Sequence, residues 1–337
     1  MKANVPYAVF YVTDNGRRLA QRIQALYPGA RIMKFTSAGA VPELPLIWKE
    51  SKGLIFIMAT GIVVRTIAAL LNDKRTDPAV VVLDENSEFA ISLLSGHIGG
   101  ANALAREIAD YIGARAVITT ASDVQGKLSL DLWAEEKNLF AEDAGKLKEI
   151  SAKIVNGKTL RVFSELAFMP ERVPAEFTIV DSAEQADVII SSRLLQSNVF
   201  FLRPRNLIAG IGCNRGTHKE EIASVVAEIM QDEKLSPHSI KSIASIDLKK
   251  DETGLLEYAQ DNALIIAFFS AEELNLASSN NKLARSETVM AATGAAGVAE
   301  PAALLAARTV SDDYSLIVPK QKRGNVTLAI AKAEFIL

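Results

Sequence analysis

The sequence predicts an α/β protein with an N-terminal doubly wound, mostly parallel sheet, a small middle α/β segment and a C-terminal three-layer α/β domain. Three observations predict it. Short apolar runs such as residues 53–59 and 79–83 have the continuous hydrophobicity of strands buried on both faces of a parallel sheet. Segments of helical periodicity separate them, so strand and helix alternate. Glycines and small polar residues stand where strands pass into helices, and such sheets bind ligands at the carboxyl ends of their strands.

Taken in order, residues 5–13 form a β-rich run, and Asp14 opens a helix with Leu19, Ile23 and Leu26 inward. Pro28-Gly29 closes that helix, residues 30–35 form a second strand, and residues 42–51 a short helix or loop. After the strand at 53–59, Thr60-Gly61 turns into a helix with Val63, Ile67, Leu70 and Leu71 inward. Asp77-Pro78 breaks the chain before the strand at 79–83, which ends at Asp84-Glu85. Residues 89–94 lead into Ser95-Gly96-His97-Ile98-Gly99-Gly100-Ala101-Asn102. The helix that follows lines up Ile98, Ala101, Ala105, Ile108 and Ile112 until Gly113 stops it, and residues 115–119 form one more strand before Thr120, Ser122 and Asp123.

Residues 1–140 read as the N-terminal domain, 141–205 as a small middle or linker domain, and 206–337 as the C-terminal domain. The middle stretch shows strands near 159–163, 177–180 and 188–191 and suggests no chemistry of its own. Residues 207–211 form a strand that enters the turn Gly212-Cys213-Asn214-Arg215-Gly216, and Thr217 with Glu220 has the spacing of a capping box. Strands follow at 243–248 and 263–269. Thr293-Gly294 leads through Glu300-Pro301 into an alanine-rich helix, and residues 319–325 read as the basic tip of a terminal hairpin.

Of the 337 residues, 49% are hydrophobic and 23% charged, ordinary for a globular chain with a full core. A net charge of −3 gives no basic field for nucleic acid or membrane surfaces. Cys213 is the only cysteine, which rules out an internal disulfide and fits a cytoplasmic location. Residues 1–13 do not have the form of a signal peptide, and the apolar run 54–64, ended by Arg65, is too short to span a bilayer.

Four strand ends carry polar groups: Thr60-Gly61 with Arg65, Asp84-Glu85, Ser95-Gly96-His97, and Thr119-Thr120 with Asp123. Each alone reads as a cap or turn; gathered on one sheet edge they make a binding site. Glycines at 96, 99 and 100 would let backbone approach a ligand, and the helix start at or just after His97 would face an anion. The turn at residues 210–216 resembles a dinucleotide loop, but the expected acid after the next strand is missing, and Asp232 and Glu233 fall near a helix end instead. Phosphate-loop, G-x-S-x-G and H-E-x-x-H motifs are absent, so neither an ATPase, a serine hydrolase nor a protein metal site is expected. Cys213 at a helix start reads either as a nucleophile or as packing, and Glu300 either as a first-turn acid or as a catalytic one.

Taken together, several runs resemble the CbiG family, the cobalt-precorrin-5A hydrolases of anaerobic cobalamin biosynthesis. They are Gly61-Ile62-Val63-Val64-Arg65, Asp77-Pro78 through Asp84, Leu93-Leu94-Ser95-Gly96-His97-Ile98-Gly99-Gly100-Ala101-Asn102, Val117 through Asp123, Gly210 through Gly216, Ser245-Ile246-Asp247-Leu248-Lys249, and Thr293-Gly294 through Ala302. The resemblance covers nearly the whole chain, most weakly over 141–205. It implies opening of the δ-lactone of a ring-contracted cobalt tetrapyrrole with loss of acetaldehyde. It implies no cofactor, since cobalt arrives in the substrate, and neighbouring pathway enzymes as partners. On this reading Arg65, Arg215 and Lys249 bind substrate carboxylates, helped by Gly61, Asp84, Ser95, Gly96, Gly99, Gly100, Asn102, Thr120, Gly212, Cys213 and Gly294. His97 is the expected general base, His97 or Glu300 handles the second proton, and N–H groups near Gly99 and Gly100 form the oxyanion hole. The competing readings are a non-catalytic tetrapyrrole carrier and a nucleotide-dependent oxidoreductase built on the turn at 210–216.

Overall fold

The computed structural model describes residues 7–35, 42–73, 76–97, 99–120 and 127–337. Ile98, Ser122 and Asp123 lie outside the described residues. The chain forms two compact units, Met1–Leu132 and Trp133–Leu337.

The first unit holds one six-stranded sheet of β1 (Tyr7–Tyr11), β2 (Arg31–Lys34), β3 (Gly53–Ile57), β4 (Ala79–Leu83), β5 (Phe89–Leu94) and β6 (Arg115–Val117), in the order β2-β1-β3-β4-β5-β6. Its helices are α1 (Asp14–Leu26), α2 (Leu44–Glu50), α3 (Thr60–Ile67) and α4 (Ala101–Ile112). Both β3 and β4 are buried at every residue because helices cover the two faces. On one face Ile23 of α1 and Ala105 and Ile108 of α4 pack on Val9, Ile55 and Val81. On the other, Trp48 of α2 and Val63 of α3 pack on Phe56 and Val82, with Phe10 stacked on Phe56 at 4.7 Å.

The strand directions correct one expectation. β1 to β4 are parallel, but β4 and β5 are antiparallel, and β6 follows β5. Leu94 lies beside Val80, at the start of β4, so β5 delivers Ser95 to the edge opposite Asp84. The reason is chain length. Residues 84–88 are too few for a parallel crossover, which needs a dozen or more, so they form a hairpin turn.

The second unit holds two five-stranded sheets. The middle sheet comprises β7 (Leu139–Ala141), β8 (Leu160–Ser164), β9 (Phe177–Ile179), β10 (Val188–Ile190) and β11 (Phe200–Pro204), in the order β7-β11-β10-β8-β9. It is parallel except for β7, which straddles residue 140 and pairs with β11. Helices α5 (Leu130–Glu136) and α6 (Ala144–Val155) accompany it, and Trp133 of α5 meets Phe177 edge-on at 5.0 Å. Buried Arg203 of β11 donates from Nε and Nη2 to Glu142 Oε2 at 3.0 and 2.8 Å.

The last sheet comprises β12 (Leu207–Cys213), β13 (Ile240–Ile246), β14 (Ile265–Phe269), β15 (Tyr314–Arg323) and β16 (Val326–Ala333), in the order β14-β13-β12-β16-β15. Its helices are α7 (Lys219–Asp232), α8 (Thr253–Asp261), α9 (Ala271–Asn280), α10 (Glu287–Thr293) and α11 (Ala299–Arg308). α7 and α8 pack on one face and α11 on the other. Ser236-Pro237, which has the form of a helix start, opens only a 3₁₀ turn, Pro237–Ser239. Pro319, Lys320, Lys322 and Arg323 lie in β15 and not in the hairpin tip, where Pro319 is tolerated on an edge strand.

One contact sets where the loop before α11 lies. A Cβ built on Gly210 would collide with the Ala299 carbonyl oxygen and stand 3.0 Å from Ala303 Cβ. The helix sits directly on β12 because both surfaces are made of small residues. Gly210→Ala therefore forces backbone apart; the expected loss is about 3 kcal/mol, at the upper end of overpacking costs, measured by urea unfolding.

Candidate functional site

The opening motif folds as a closed loop. Ser95 takes a left-handed φ of 56°, and a Cβ on Gly99 would collide with Ser95 Cβ. A Cβ on Gly96 would stand 2.7 Å from Asn102 Oδ1. These glycines let the loop fold back on itself. Three of its N–H groups are committed: Gly100 donates to His97 O at 2.8 Å, Ala101 to Ser95 O at 3.1 Å and Asn102 to Gly96 O at 3.0 Å. An oxyanion at Gly100 would have to displace a loop hydrogen bond, so the expected oxyanion hole is not preformed there. Buried Asn102 links Ser92 and Thr120: Ser92 Oγ donates to its Oδ1 at 2.7 Å, and its Nδ2 donates to Thr120 Oγ1 at 3.2 Å. Ser92 escaped the sequence reading because it is one small polar residue inside an apolar strand. His97 is half-buried beside this network.

The other predicted residues of this unit lie on the opposite edge. Arg65 is exposed, with Nη1 donating to Gly61 O at 2.9 Å in its own helix. The Asp84 carboxylate closes the turn before β5, accepting N–H from Asn86 at 2.9 Å, Glu88 at 3.0 Å and Phe89 at 2.6 Å. It is a turn residue by its contacts. The four polar strand ends therefore fall into two pairs on opposite edges of the sheet, contrary to the expected single cluster.

In the second unit the predicted residues do converge, at the carboxyl end of β12, β13 and β14. Gly212 and Cys213 end β12, Lys249 follows β13, and Gly294 stands 3.8 Å from Ala271 Cβ, measured from a built Cβ, just after β14. Two carboxylates that the sequence reading passed over organise this corner. Glu252, only 4% exposed, accepts from Lys249 Nζ at 2.9 Å and from the Gly216 N–H at 2.8 Å. Arg215 Nη1 stands 3.9 Å from the same carboxylate, meets Asp251 Oδ1 at 2.6 Å, and Nη2 donates to Leu248 O at 2.9 Å. The signal was present as the mixed run Lys249-Lys250-Asp251-Glu252, in which only the cation was singled out.

The electrostatics follow from these contacts. Burial pushes the Glu252 carboxyl up, but the Lys249 ammonium, the Gly216 N–H and Arg215 outweigh it and hold it below the usual range. Asp251 is likewise lowered, mainly by its hydrogen bond from Arg215. Burial raises the Cys213 thiol despite nearby Lys249, so Cys213 is a neutral thiol and a poor nucleophile. The predicted capping box does not form: Thr217 Oγ1 donates to Asn214 O at 2.8 Å, and His218 is the N-cap of α7. Gly294 ends α10 with a φ of 73°, and its carbonyl accepts from Asn275 Nδ2 at 2.8 Å, so it is no helix start. Glu300 is buried, and its Oε1 accepts the Lys320 N–H at 3.1 Å. Asp247 directly follows β13, so an acid does stand where the sequence reading found none. The glycines of the dinucleotide-like turn are committed elsewhere, Gly210 to α11 and Gly216 to Glu252. Among the described residues no group of His, Cys, Asp and Glu could hold a metal ion. A cavity of about 620 Å³ by the middle sheet is lined by Glu142, Lys146, Phe201 and Arg203, whose charged groups are paired internally.

Three family models match the chain in succession: Cobalamin synthesis G N-terminal over residues 44–123, Cobalamin biosynthesis central region over 128–204, and Cobalamin synthesis G C-terminus over 207–331. The chain belongs to the CbiG family. The cobalt-precorrin-5A hydrolase of Priestia megaterium is 36% identical over 360 residues, covering 96% of this chain and 94% of that protein. The enzyme of the same name from Salmonella typhimurium is 36% identical over 292 residues, covering 79% and 82%. A solved cobalamin biosynthesis protein G homologue from Sulfolobus solfataricus aligns over 98% of this CbiG chain and 99% of its own, at 22% identity and a TM-score of 0.38.

Replacing Glu252 by Gln leaves the Lys249 ammonium buried without its counter-charge, and the expected loss is about 3 kcal/mol at neutral pH. The folded carboxyl titrates below the ordinary 4.5, so the unfolded chain takes up the proton first. The stabilisation is therefore complete above about pH 5 and is lost as pH falls through the folded value. Urea unfolding of wild type and Glu252→Gln across pH 3–7 should show a gap that narrows only on the acid side.

Proposed function

We propose that this chain is a cobalt-precorrin-5A hydrolase of cobalamin biosynthesis. The observation that carries the reading is the end-to-end match: N-terminal, central and C-terminal CbiG models in succession, with 36% identity to a named hydrolase over 94% of its length. The substrate is then a ring-contracted cobalt tetrapyrrole bearing acetate and propionate carboxylates. Water adds to the δ-lactone carbonyl and the ring C–O bond breaks, leaving a carboxylate and a free hydroxyl. Loss of that hydroxyl proton with cleavage of the carbon–carbon bond releases acetaldehyde, and the macrocycle takes up the electron pair. The chain needs no cofactor for this, because the cobalt belongs to the substrate.

Arg215 is the best-built contact for a substrate carboxylate, since its fork is held by Leu248 O and lies beside Glu252. Lys249 serves that contact by holding the Glu252 carboxylate in their buried pair. Arg65, an exposed cation of the first unit on the sheet edge opposite His97, is the other candidate carboxylate contact. His97, the histidine of that unit, is the general base that takes a proton from the attacking water. Glu300 is the alternative acceptor for the second proton. No helix among the described residues is long and apolar enough to cross a membrane. We assign the reaction to the cytoplasm on the use of a single cysteine. Neighbouring pathway enzymes are the expected donors and acceptors of the intermediates.

Purified protein incubated with cobalt-precorrin-5A should release acetaldehyde and give a corrinoid product lighter by that fragment after addition of water. Spectral binding without acetaldehyde would make the protein a carrier and overturn the reading. His97→Ala should lower kcat by about 10²–10⁴-fold; a tenfold loss or less would reduce His97 to positioning.

A further inference from the structure

Arg215 is held in three ways of unequal strength. Its Nη2 bond to Leu248 O at 2.9 Å is to backbone, and Glu252, 3.9 Å away, is buried and fixed by Lys249 and Gly216. The third partner differs. Asp251 Oδ1 meets Nη1 at 2.6 Å, yet the Arg215 side chain is 61% and the Asp251 side chain 72% exposed. Among the described residues Asp251 hydrogen-bonds no other side chain, whereas Glu252 next to it bonds two groups on two loops. Exposed ion pairs contribute little and exchange readily for another carboxylate of the same geometry.

We propose that Asp251 is a displaceable stand-in for a substrate carboxylate on Arg215 and sets substrate affinity, while Glu252 is the fixed anchor. This rests on the reading that the ligand is a polycarboxylate bound by Arg215. A carboxylate entering from solvent meets Nη1, where exposed Asp251 sits, since Leu248 O holds Nη2 and buried Glu252 stands 3.9 Å from that same Nη1. Asp251 then swings into water at little cost, because its side chain is already 72% exposed and hydration replaces the lost pair. The arrangement keeps the guanidinium pointed outward in the empty protein, and the competition lowers affinity by the strength of one exposed pair.

The test is a titration of full-length protein with cobalt-precorrin-5A, read by corrinoid absorbance, alongside acetaldehyde release. Asp251→Asn should lower Kd and KM about two- to fivefold, with kcat unchanged, the size expected from removing one exposed pair. The same substitution in an Arg215→Gln background should change neither. A fall in KM that persists without Arg215 would mean that Asp251 repels the substrate through space, and the stand-in role would be overturned. Unchanged or raised KM in Asp251→Asn, with thermal unfolding as in wild type, would overturn it as well. Wild type that neither binds nor turns over the corrinoid would overturn the functional reading and this proposal together.

Discussion

The Glu252 carboxylate ties the turn after β13 to the loop after β12, accepting the Lys249 ammonium with one oxygen and the Gly216 N–H with the other. At 4% exposure it is a charge that the fold tolerates only because its partners neutralise and bond it. The position of Arg215 follows from it, because Arg215 immediately precedes the glycine whose N–H the carboxylate holds. So does the seat of α8, whose Gly254 packs so closely on the Thr217 carbonyl that a Cβ there would collide with it. The anion-facing corner is thus a property of a buried ion pair and two glycines. A glycine-rich helix start, as read from sequence, is not what makes it.

A comparable constraint shapes the first unit, with the opposite consequence. The hairpin at Asp84 reverses the sheet, and that reversal parts residues that a parallel reading would unite. Gly61 and Arg65 go to one edge, and Ser95, His97, Asn102 and Thr120 to the other. The Ser92–Asn102–Thr120 network holds the start of α4 to β5 and to the chain after β6, and so fixes the loop that carries His97.

The legible parts of the fold were those where one physical rule dominates. β3 and β4 could be read because burial on both faces removes every polar residue from them. The second-unit strand at 207–213 could be read for the same reason, while 265–269, only partly buried, was read from its unbroken apolar composition. β7 was missed because it has three residues between charged segments, and β11 because buried Arg203 and terminal Pro204 break its apolar run. The reversal at Asp84 was legible from the length of the turn alone, but alternation of strands and helices overrode it. Of the site, the cations were found and their carboxylates were not. Pairing between Lys249 and Glu252 depends on the turn that brings them together, and charge alternation on a surface looks the same in sequence as charge pairing in a buried corner.

Family membership gives the reaction class, and the proposal is most specific in assigning the substrate carboxylates to the carboxyl edge of the β12–β14 sheet, principally to Arg215. Equilibrium binding of cobalt-precorrin-5A to Arg215→Gln and Arg65→Gln compares the two exposed arginines directly. The account predicts that Arg215→Gln weakens binding by about tenfold or more, the value of a charge-assisted contact, and that Arg65→Gln changes it much less. Tight binding retained in Arg215→Gln but lost in Arg65→Gln would contradict it.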